Sequence, residues 1–88
     1  MVKLGHRRGE VEILLDILSI SVRGVKITQL MYKANLSYAT LQKYLLIMSK
    51  RGLITTVCNA DGSVVYYPTE KGKLVLNRLK EVRQVLTA

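Results

Sequence analysis

The segment NLSYATLQKYLLIMSKRGLI, residues 35–54, restricts the fold of this chain more than any other stretch. Ser37 is a favourable helix N-cap and Gly52 a favourable helix stop, so the segment predicts a helix over residues 37–51. Its apolar residues have the spacing of one buried helical stripe. They are Leu41, Leu45 and Met48. The opposite arc of the helix is polar and has to face something other than the core.

The sequence before this helix predicts two more helices and a short strand. An apolar pattern over residues 8–22 predicts a first helix with a core-facing stripe and a second apolar flank. The stripe consists of Val11, Leu14, Leu15, Leu18 and Val22, and the flank consists of Ile13, Ile17 and Ile20. The β-branched residues 25–27 predict a strand, and Thr28 is the expected cap of a helix over residues 29–34. Residues 35–36 form the tight turn between the second and third helices.

The sequence after this helix predicts a β-hairpin and one last helix. Residues 53–58 and 64–67 have the pattern of strands, and the polar residues 59–63 between them predict a turn. Thr69 is the expected cap of a helix over residues 70–86. The order is helix, short strand, helix, helix, β-hairpin wing and C-terminal helix. It predicts an α+β, mainly α, winged helix-turn-helix fold.

The charge of the chain favours an anionic partner. The net charge is +8 on 88 residues, which is typical of proteins that bind nucleic acid, an anionic membrane surface or an acidic protein. No acidic residue occurs from residue 17 to residue 60, although six Lys or Arg residues do. The predicted helix-turn-helix lies inside this stretch, which favours nucleic acid over a merely solvated basic surface. The hydrophobic content of 49% indicates that a partner covers part of so small a chain.

Several classes of function find no support in the sequence. His6 and Cys58 are the single His and Cys, and the chain has no paired carboxylates and no phosphate-binding loop, so no enzyme, cofactor or metal site is expected. No stretch has the pattern of a membrane span or a signal peptide. We expect no membrane partner, no small-molecule ligand and a cytoplasmic, nucleoid-associated location. Cys58 is expected to be an ordinary strand residue.

Four stretches carry a resemblance to a known family: VEILLDIL, MYKANLSYATLQKYL, LQKYLLIMSKRGLI and YYPTEKGKLVL. On these stretches the chain resembles archaeal winged helix-turn-helix DNA-binding proteins. It is most similar to the ten-kilodalton crenarchaeal chromatin and regulator type, and similar small regulators occur in crenarchaeal viruses. The resemblance implies an archaeal DNA-binding protein that dimerises through its C-terminal helix. The last helix here has only about five turns, so a shorter dimer contact is implied than the long coiled coil of the chromatin type.

The third helix carries the expected contacts to DNA bases. In helix-turn-helix proteins, the N-terminal half of this helix meets base edges in the major groove. Gln42 is suited to adenine, Lys43 to guanine or phosphate, and the methyl group of Thr40 to thymine. Ser37 and Tyr38 are suited to phosphate. The full set of expected DNA-binding residues is Arg7, Arg8, Lys26, Lys33, Ser37, Tyr38, Thr40, Gln42 and Lys43.

Alternative positions stay open for part of this region. Tyr38 also suits the edge of the core. Tyr44, Leu46 and Ile47 are expected to fill the core, with an exposed contact patch as the alternative. The wing tip, residues 59–63, has no Lys or Arg. A wing that follows the DNA backbone and a purely structural hairpin are therefore both open.

The first and last helices predict a homodimer. Apolar residues of the last helix recur at spacings of four, three and four, as in a heptad seam. With the isoleucine flank of the first helix, they form the expected dimer interface. It consists of Ile13, Ile17, Ile20, Val75, Leu79, Val82 and Leu86.

The chain therefore divides into a basic N-terminal arm over residues 1–8, a winged helix-turn-helix over residues 9–69 and a C-terminal helix over residues 70–88 that is expected to dimerise. The expected function is that of a homodimeric transcriptional regulator that reads the major groove of double-stranded DNA with the helix over residues 37–51. Three alternatives are a general chromatin protein, a winged-helix protein-interaction module without DNA binding, and an RNA-binding protein.

Overall fold

The computed structural model of the protein describes residues 9–87 and has the predicted winged helix-turn-helix order. Over these residues it contains four helices and one two-stranded antiparallel sheet. In chain order the elements are α1 (Glu10–Ile20), α2 (Ile27–Ala34), α3 (Tyr38–Lys50), β1 (Ile54–Cys58), β2 (Val64–Pro68) and α4 (Glu70–Thr87). The fold class predicted from the sequence is confirmed.

Local signals at both ends of α3 behave as predicted. The backbone N–H of Thr40 donates to the Ser37 side-chain oxygen at 3.2 Å, so Ser37 is the N-cap. Before it, Asn35 adopts the left-handed conformation with φ of 55°, which turns the chain from α2 into α3. At the other end, Gly52 follows the Arg51 C-cap with φ of 71°, as expected of a helix stop. The Lys71 ammonium also donates to the Arg51 carbonyl oxygen at 2.9 Å. A cation there satisfies an orphan carbonyl and suits the negative end of the helix dipole.

The segment 25–27 differs from its prediction as a strand. Only Val25 pairs with the sheet, through an N–H bond to the Tyr66 carbonyl at 3.1 Å and a return bond of 2.8 Å. The chain turns into α2 immediately afterwards, because Ile27 is already helical. Lys26 is therefore the N-cap, and the prediction of Thr28 in this role is wrong.

The packing of α1 also corrects the sequence analysis. The buried residues of this helix are Leu15, Ile17 and Leu18, whereas Val11 and Val22 of the predicted core stripe are 57% and 43% exposed. The reason is that α1 packs against α2 on one side and against α4 on another. The chain itself thus covers part of the flank that was predicted to need a second subunit. Ile17 is fully buried within the chain, so its assignment to a dimer interface is wrong.

The hairpin forms the predicted wing. Its register pairs Thr55 with Tyr67 and Cys58 with Val64. Thr69 then caps α4 as predicted, because its side-chain oxygen accepts the Gly72 N–H at 2.9 Å. The Thr69 hydroxyl also donates to the Gly52 carbonyl at 2.5 Å. The Thr69 hydroxyl thus connects residue 52, which follows α3, to the first turn of α4 by hydrogen bonds.

One hydrophobic core lies between the helices and the base of the wing. All four helices and β1 contribute to it, together with the two linking residues Val25 and Leu53. Its buried members are Leu15, Ile17, Leu18, Val25, Leu30, Leu41, Leu45, Met48, Leu53, Ile54 and Leu76. Over the part of the chain that the structure describes, no helix is long and apolar enough to cross a membrane.

Candidate nucleic-acid interface

The two sides of α3 have opposite character. Leu41 and Met48 are fully buried and Leu45 nearly so, which confirms the predicted core stripe. On the opposite side, the exposed side chains form a continuous surface on successive turns. We call this surface the α3 face. It consists of Tyr38, Ala39, Gln42, Lys43 and Leu46.

Two side-chain pairs hold the first two turns of this helix in place. The Ser37 hydroxyl donates to the Thr40 hydroxyl oxygen at 2.9 Å while accepting the Thr40 N–H. In the second pair, the Gln42 side-chain N–H donates to the Tyr38 hydroxyl oxygen at 2.6 Å. Four of the predicted DNA-binding side chains are thus brought together at the start of α3. Their polar atoms are held by one another and remain open to solvent.

Tyr38 lies on the exposed side of α3 as expected of a DNA-binding residue, whereas Leu46 differs from its prediction. Tyr38 is 56% exposed, so the alternative that it packs in the core is wrong. Leu46 is 58% exposed one turn after Gln42, so its prediction as a core residue is wrong. Tyr44 and Ile47 are partly buried, and Tyr44 packs against the core. Leu46 lies four positions after Gln42, which is one helical turn. This spacing is the sequence signal that places Leu46, unlike Tyr44 and Ile47, on the exposed side of α3.

The basic residues around α2 and α3 are exposed. They are Lys26, Lys33, Lys43, Lys50 and Arg51. The stretch of sequence around them, residues 17–60, contains no acidic residue, so the carboxylate that acts on Lys26 comes from Asp61 of the wing tip. A surface of this kind attracts polyanions over a distance of about 8–10 Å at physiological salt.

The predicted basic contacts do not all belong to one patch. Lys33 lines a shallow groove with Arg23, which follows α1, and Lys80 of α4. Lys26 lies at the start of α2 and acts electrostatically on Asp61 at the wing tip. Arg7 and Arg8 fall outside the described residues, as does His6. Only Ser37, Tyr38, Thr40, Gln42 and Lys43 share the first turns of α3.

The wing tip is a polar and internally bonded turn. Asp61 accepts hydrogen bonds from the Ser63 hydroxyl at 2.6 Å and from the Ser63 backbone N–H at 2.9 Å. These two bonds, with a smaller contribution from the charge of Lys26, hold the pKa of Asp61 below its ordinary value. The Asn59 amide also donates to the Ser63 hydroxyl oxygen at 3.0 Å. The tip therefore carries a negative charge and no cation at neutral pH.

An apolar groove runs between α1 and the second half of α4. Val82 and Leu86 line it and are 53% and 78% exposed, and Leu79 is partly buried at its base. Val11 of α1, itself 57% exposed, and the buried Leu15 supply the rest of the apolar lining, and the polar lining residues are Glu12, Arg83 and Thr87. Of the residues predicted for a dimer interface, Leu79, Val82 and Leu86 are brought together here. Ile13, Ile20 and Val75 are instead partly buried against the core.

The described residues offer little to a metal or to covalent chemistry. Within residues 9–87, no group of three or more His, Cys, Asp or Glu side chains is placed to hold a metal ion. Cys58 lies exposed at the end of β1, where its thiol contacts the Asn59 carbonyl at 3.8 Å. The chemistry of the α3 face is that of hydrogen bonding and charge.

Comparison with known proteins relates this architecture to a family. The family model for winged helix-turn-helix proteins matches residues 7–87. Among solved structures, the chain is similar to Sso10a-2, a DNA-binding protein from Sulfolobus solfataricus, with 34% sequence identity and a TM-score of 0.76. This similarity covers 89% of this chain and 81% of that chain. A comparison with curated protein sequences gives no match.

Larger regulators contain the same architecture as a part. A MarR family transcriptional regulator from Silicibacter pomeroyi is 28% identical with a TM-score of 0.67, and the match covers 81% of this chain and 48% of that one. BldR, a transcriptional regulator from Sulfolobus solfataricus, is 18% identical with a TM-score of 0.78, covering 85% and 56%. The chain spans about half the length of these two regulators. At 18% identity, the likeness to BldR concerns the fold alone.

Proposed function

The chain belongs to the winged helix-turn-helix family, and on that premise we propose that it is a homodimeric transcriptional regulator that binds double-stranded DNA. The α3 face enters the major groove, and the exposed lysines beside it contact phosphates. A chromosomal DNA partner places the protein in the cytoplasm with the nucleoid. The proposal has three parts, which are DNA binding, base reading and dimerisation.

The observation that carries DNA binding is the composition of the α3 face. Its polar side chains project from the N-terminal half of the helix, which is the half that reaches base edges in helix-turn-helix complexes. Gln42 and Lys43 are both exposed there, and these residue types make base contacts to adenine and guanine. The surroundings are basic, with no acidic residue between positions 17 and 60. The similar protein Sso10a-2 is a DNA-binding protein.

Base reading rather than general DNA binding is supported by the way the side chains are held. Gln42 is bonded to Tyr38, and Thr40 to Ser37, before any partner is present. Side chains that are already ordered lose less entropy on binding than free ones. Phosphate contacts alone would not need such order, since they tolerate many side-chain conformations. This is the reason for preferring a regulator over a general chromatin protein.

Dimerisation is supported by the apolar groove between α1 and α4. Val82, Val85 and Leu86 are exposed on the last turns of α4, at 53%, 79% and 78%. An amphipathic helix with an uncovered apolar stripe is stabilised when a second apolar surface covers it. A two-fold partner supplies the same stripe in return, so each copy covers the other. Ile17 has no part in the proposed interface. This interface consists of the groove residues Val11, Leu79, Val82 and Leu86, with the exposed Val85 of the same helix outside the groove lining.

The experiment is a fluorescence anisotropy titration of two labelled duplexes, one random and one enriched by selection, at several salt concentrations. We expect both to bind, with log K falling by about 0.9 per log salt for each phosphate neutralised. The enriched duplex should bind at least ~10³-fold more tightly, as is typical of regulators. If neither duplex binds at low salt, the proposal is wrong. If both bind equally, the protein is a general DNA-binding protein.

Three variants connect the result to the α3 face. Lys43→Ala should weaken binding to both duplexes and reduce the salt slope by about one. Gln42→Ala should weaken binding to the enriched duplex far more than to the random one. Lys73→Ala is the control for charge, because it removes one positive charge from a lysine that is paired with Glu70 at 3.4 Å on another helix. Equal losses in Lys43→Ala and Lys73→Ala would mean that net charge, rather than the α3 face, governs binding.

A further inference from the structure

The contact between Tyr38 and Gln42 has a consequence for which base the protein reads. We propose that Tyr38 is a positioning residue that makes Gln42 select adenine against guanine, an inference that rests on the proposed DNA-binding function. The Tyr38 hydroxyl oxygen accepts one N–H of the Gln42 side-chain amide at 2.6 Å. The two residues lie one turn apart on the exposed side of α3.

The hydrogen-bonding groups of the glutamine side chain limit what Gln42 can offer to a base. Its amide has two N–H donors on one nitrogen and one carbonyl acceptor. Tyr38 occupies one of the two donors. Gln42 is therefore left with one N–H donor and one carbonyl acceptor for a partner. These two groups lie on the same amide plane and form a single donor–acceptor pair.

The two purines differ in what they offer to this pair. In the major groove, adenine offers the N7 acceptor and the N6 amino donor, which match one donor and one acceptor. Guanine offers two acceptors, N7 and O6. A glutamine with a free amide can turn its NH₂ group towards these acceptors and its carbonyl oxygen away from them. Gln42 with one N–H held by Tyr38 has a single donor for guanine, and its carbonyl oxygen faces O6 without a hydrogen between them.

The position of Tyr38 in the helix suits it to this task. It is the first residue of α3, directly after the N-cap, and Ser37 holds the backbone there through its bond to the Thr40 N–H. Its ring is 56% exposed, so the hydroxyl is not held by the core but by Gln42. The hydroxyl keeps its own hydrogen, which remains available for a phosphate or a water. A contact from this group to the DNA backbone is compatible with the bond to Gln42.

The test is the substitution Tyr38→Phe, which removes the hydroxyl and keeps the ring. Tyr32→Phe is the matched control, because Tyr32 is 86% exposed on α2 and undergoes the same chemical change. Binding is measured on an enriched duplex, on the same duplex with the A·T pair read by Gln42 changed to G·C, and on a random duplex. The pair read by Gln42 is the one at which Gln42→Ala loses its preference.

We expect the unmodified protein to prefer A·T over G·C at that position by about 5- to 150-fold, the range for one bidentate base contact. Tyr38→Phe should lower this ratio by about fivefold or more, mainly by improving binding to the G·C duplex. Loss of a phosphate contact from the hydroxyl would weaken binding to all three duplexes by the same factor, so the ratio between A·T and G·C is the quantity that tests the inference. The salt slope should not change, because the hydroxyl carries no charge. Tyr32→Phe should keep the full ratio.

A second measurement needs no DNA. In the free protein, we expect the two side-chain N–H resonances of Gln42 to differ in hydrogen exchange, with the one bonded to Tyr38 exchanging more slowly. Tyr38→Phe should remove this difference. The side-chain resonances of Gln84, which is exposed on α4, are the internal reference and should not respond.

Three results would overturn the inference, and they are distinguishable. If Tyr38→Phe weakens binding to all three duplexes equally, Tyr38 is a phosphate contact and does not position Gln42. If the unmodified protein binds DNA without preferring any base at this position, Gln42 does not read a base, although DNA binding stands. If no duplex binds at low salt, the proposed function fails and the inference fails with it.

Discussion

The α-carbon of Gly72 packs so closely against the carbonyl oxygen of Leu53 that no side chain fits between them. The same carbonyl accepts the backbone N–H of Thr69 at 3.1 Å. Leu53 lies just before β1, and Gly72 lies in the first turn of α4. This contact therefore sets how closely the last helix approaches the base of the wing.

Gly72→Ala should destabilise the protein. A methyl group there meets backbone rather than a movable side chain, so α4 or the start of β1 has to shift. We expect a loss of about 1–3 kcal/mol in the free energy of unfolding, as for other overpacked sites. Asn77→Ala is the control, because Asn77 is exposed on the same helix and its truncation brings no new atom against the backbone. Urea denaturation measures both, and equal stabilities would mean that α4 does not approach Leu53 so closely.

Leu45→Ala and Leu46→Ala should differ widely in stability although they are neighbours. Leu45 is 3% exposed in the core and Leu46 is 58% exposed on the α3 face. Removing the buried side chain should cost about 2–5 kcal/mol, whereas the exposed one should change the free energy of unfolding by about 0.5 kcal/mol or less. Chemical denaturation of the two variants measures the difference. Similar losses in both variants would mean that α3 does not bury Leu45 while exposing Leu46.

Val82→Glu should shift the protein towards the monomer. Val82 and Leu74 are both 53% exposed on α4, but only Val82 lines the groove between α1 and α4. A charge placed among the apolar side chains of the proposed dimer contact loses its hydration when the partner covers it, which is unfavourable. Leu74→Glu places the same charge outside the groove and should leave the dimer intact. Sedimentation equilibrium over a range of protein concentrations measures both variants, and dissociation by Leu74→Glu alone would place the interface elsewhere.

The carboxyl group of Asp61 should titrate below its ordinary pKa of 3.8. The Ser63 hydroxyl is the main cause, so Ser63→Ala should move the pKa of Asp61 back towards the ordinary value. A lowered pKa means that the ionised carboxylate stabilises the wing turn above the unfolded pKa. This stabilisation disappears as the pH falls through the folded pKa. Carboxyl ¹³C NMR measures the titration, and Ser49→Ala on α3 is the control that should leave it unchanged.

Features set by a few neighbouring residues were predictable from the sequence. The Ser37 and Thr69 caps, the stripe on α3 and the hairpin all depend on interactions within a few positions along the chain. Hydrophobic periodicity and capping report directly on such short-range structure. The winged helix-turn-helix order follows from them. The residues at the start of α3 were also recognisable, because a polar arc opposite a buried stripe is a local pattern.

Features set by several elements at once were decided by the tertiary structure. Ile17 is buried because α1 lies between α2 and α4, and periodicity in one helix does not tell how many neighbours it has. In the same way, Leu46 is exposed because no neighbouring element within residues 9–87 covers that side of α3. Val25 forms a single pair because only there does the chain reach the free edge of β2. The bond between Tyr38 and Gln42 adds side-chain geometry to helical spacing.

The sequence by itself thus determined the elements of this protein, their order and the helix that presents polar groups. Those properties come from local propensities, which act over one or two turns. Only the tertiary structure decided which apolar residues the chain covers itself and which it leaves for a partner. The physical reason is that the burial of a side chain depends on which distant segments pack against it, as Leu53 packs against Gly72. No single stretch of sequence records those contacts.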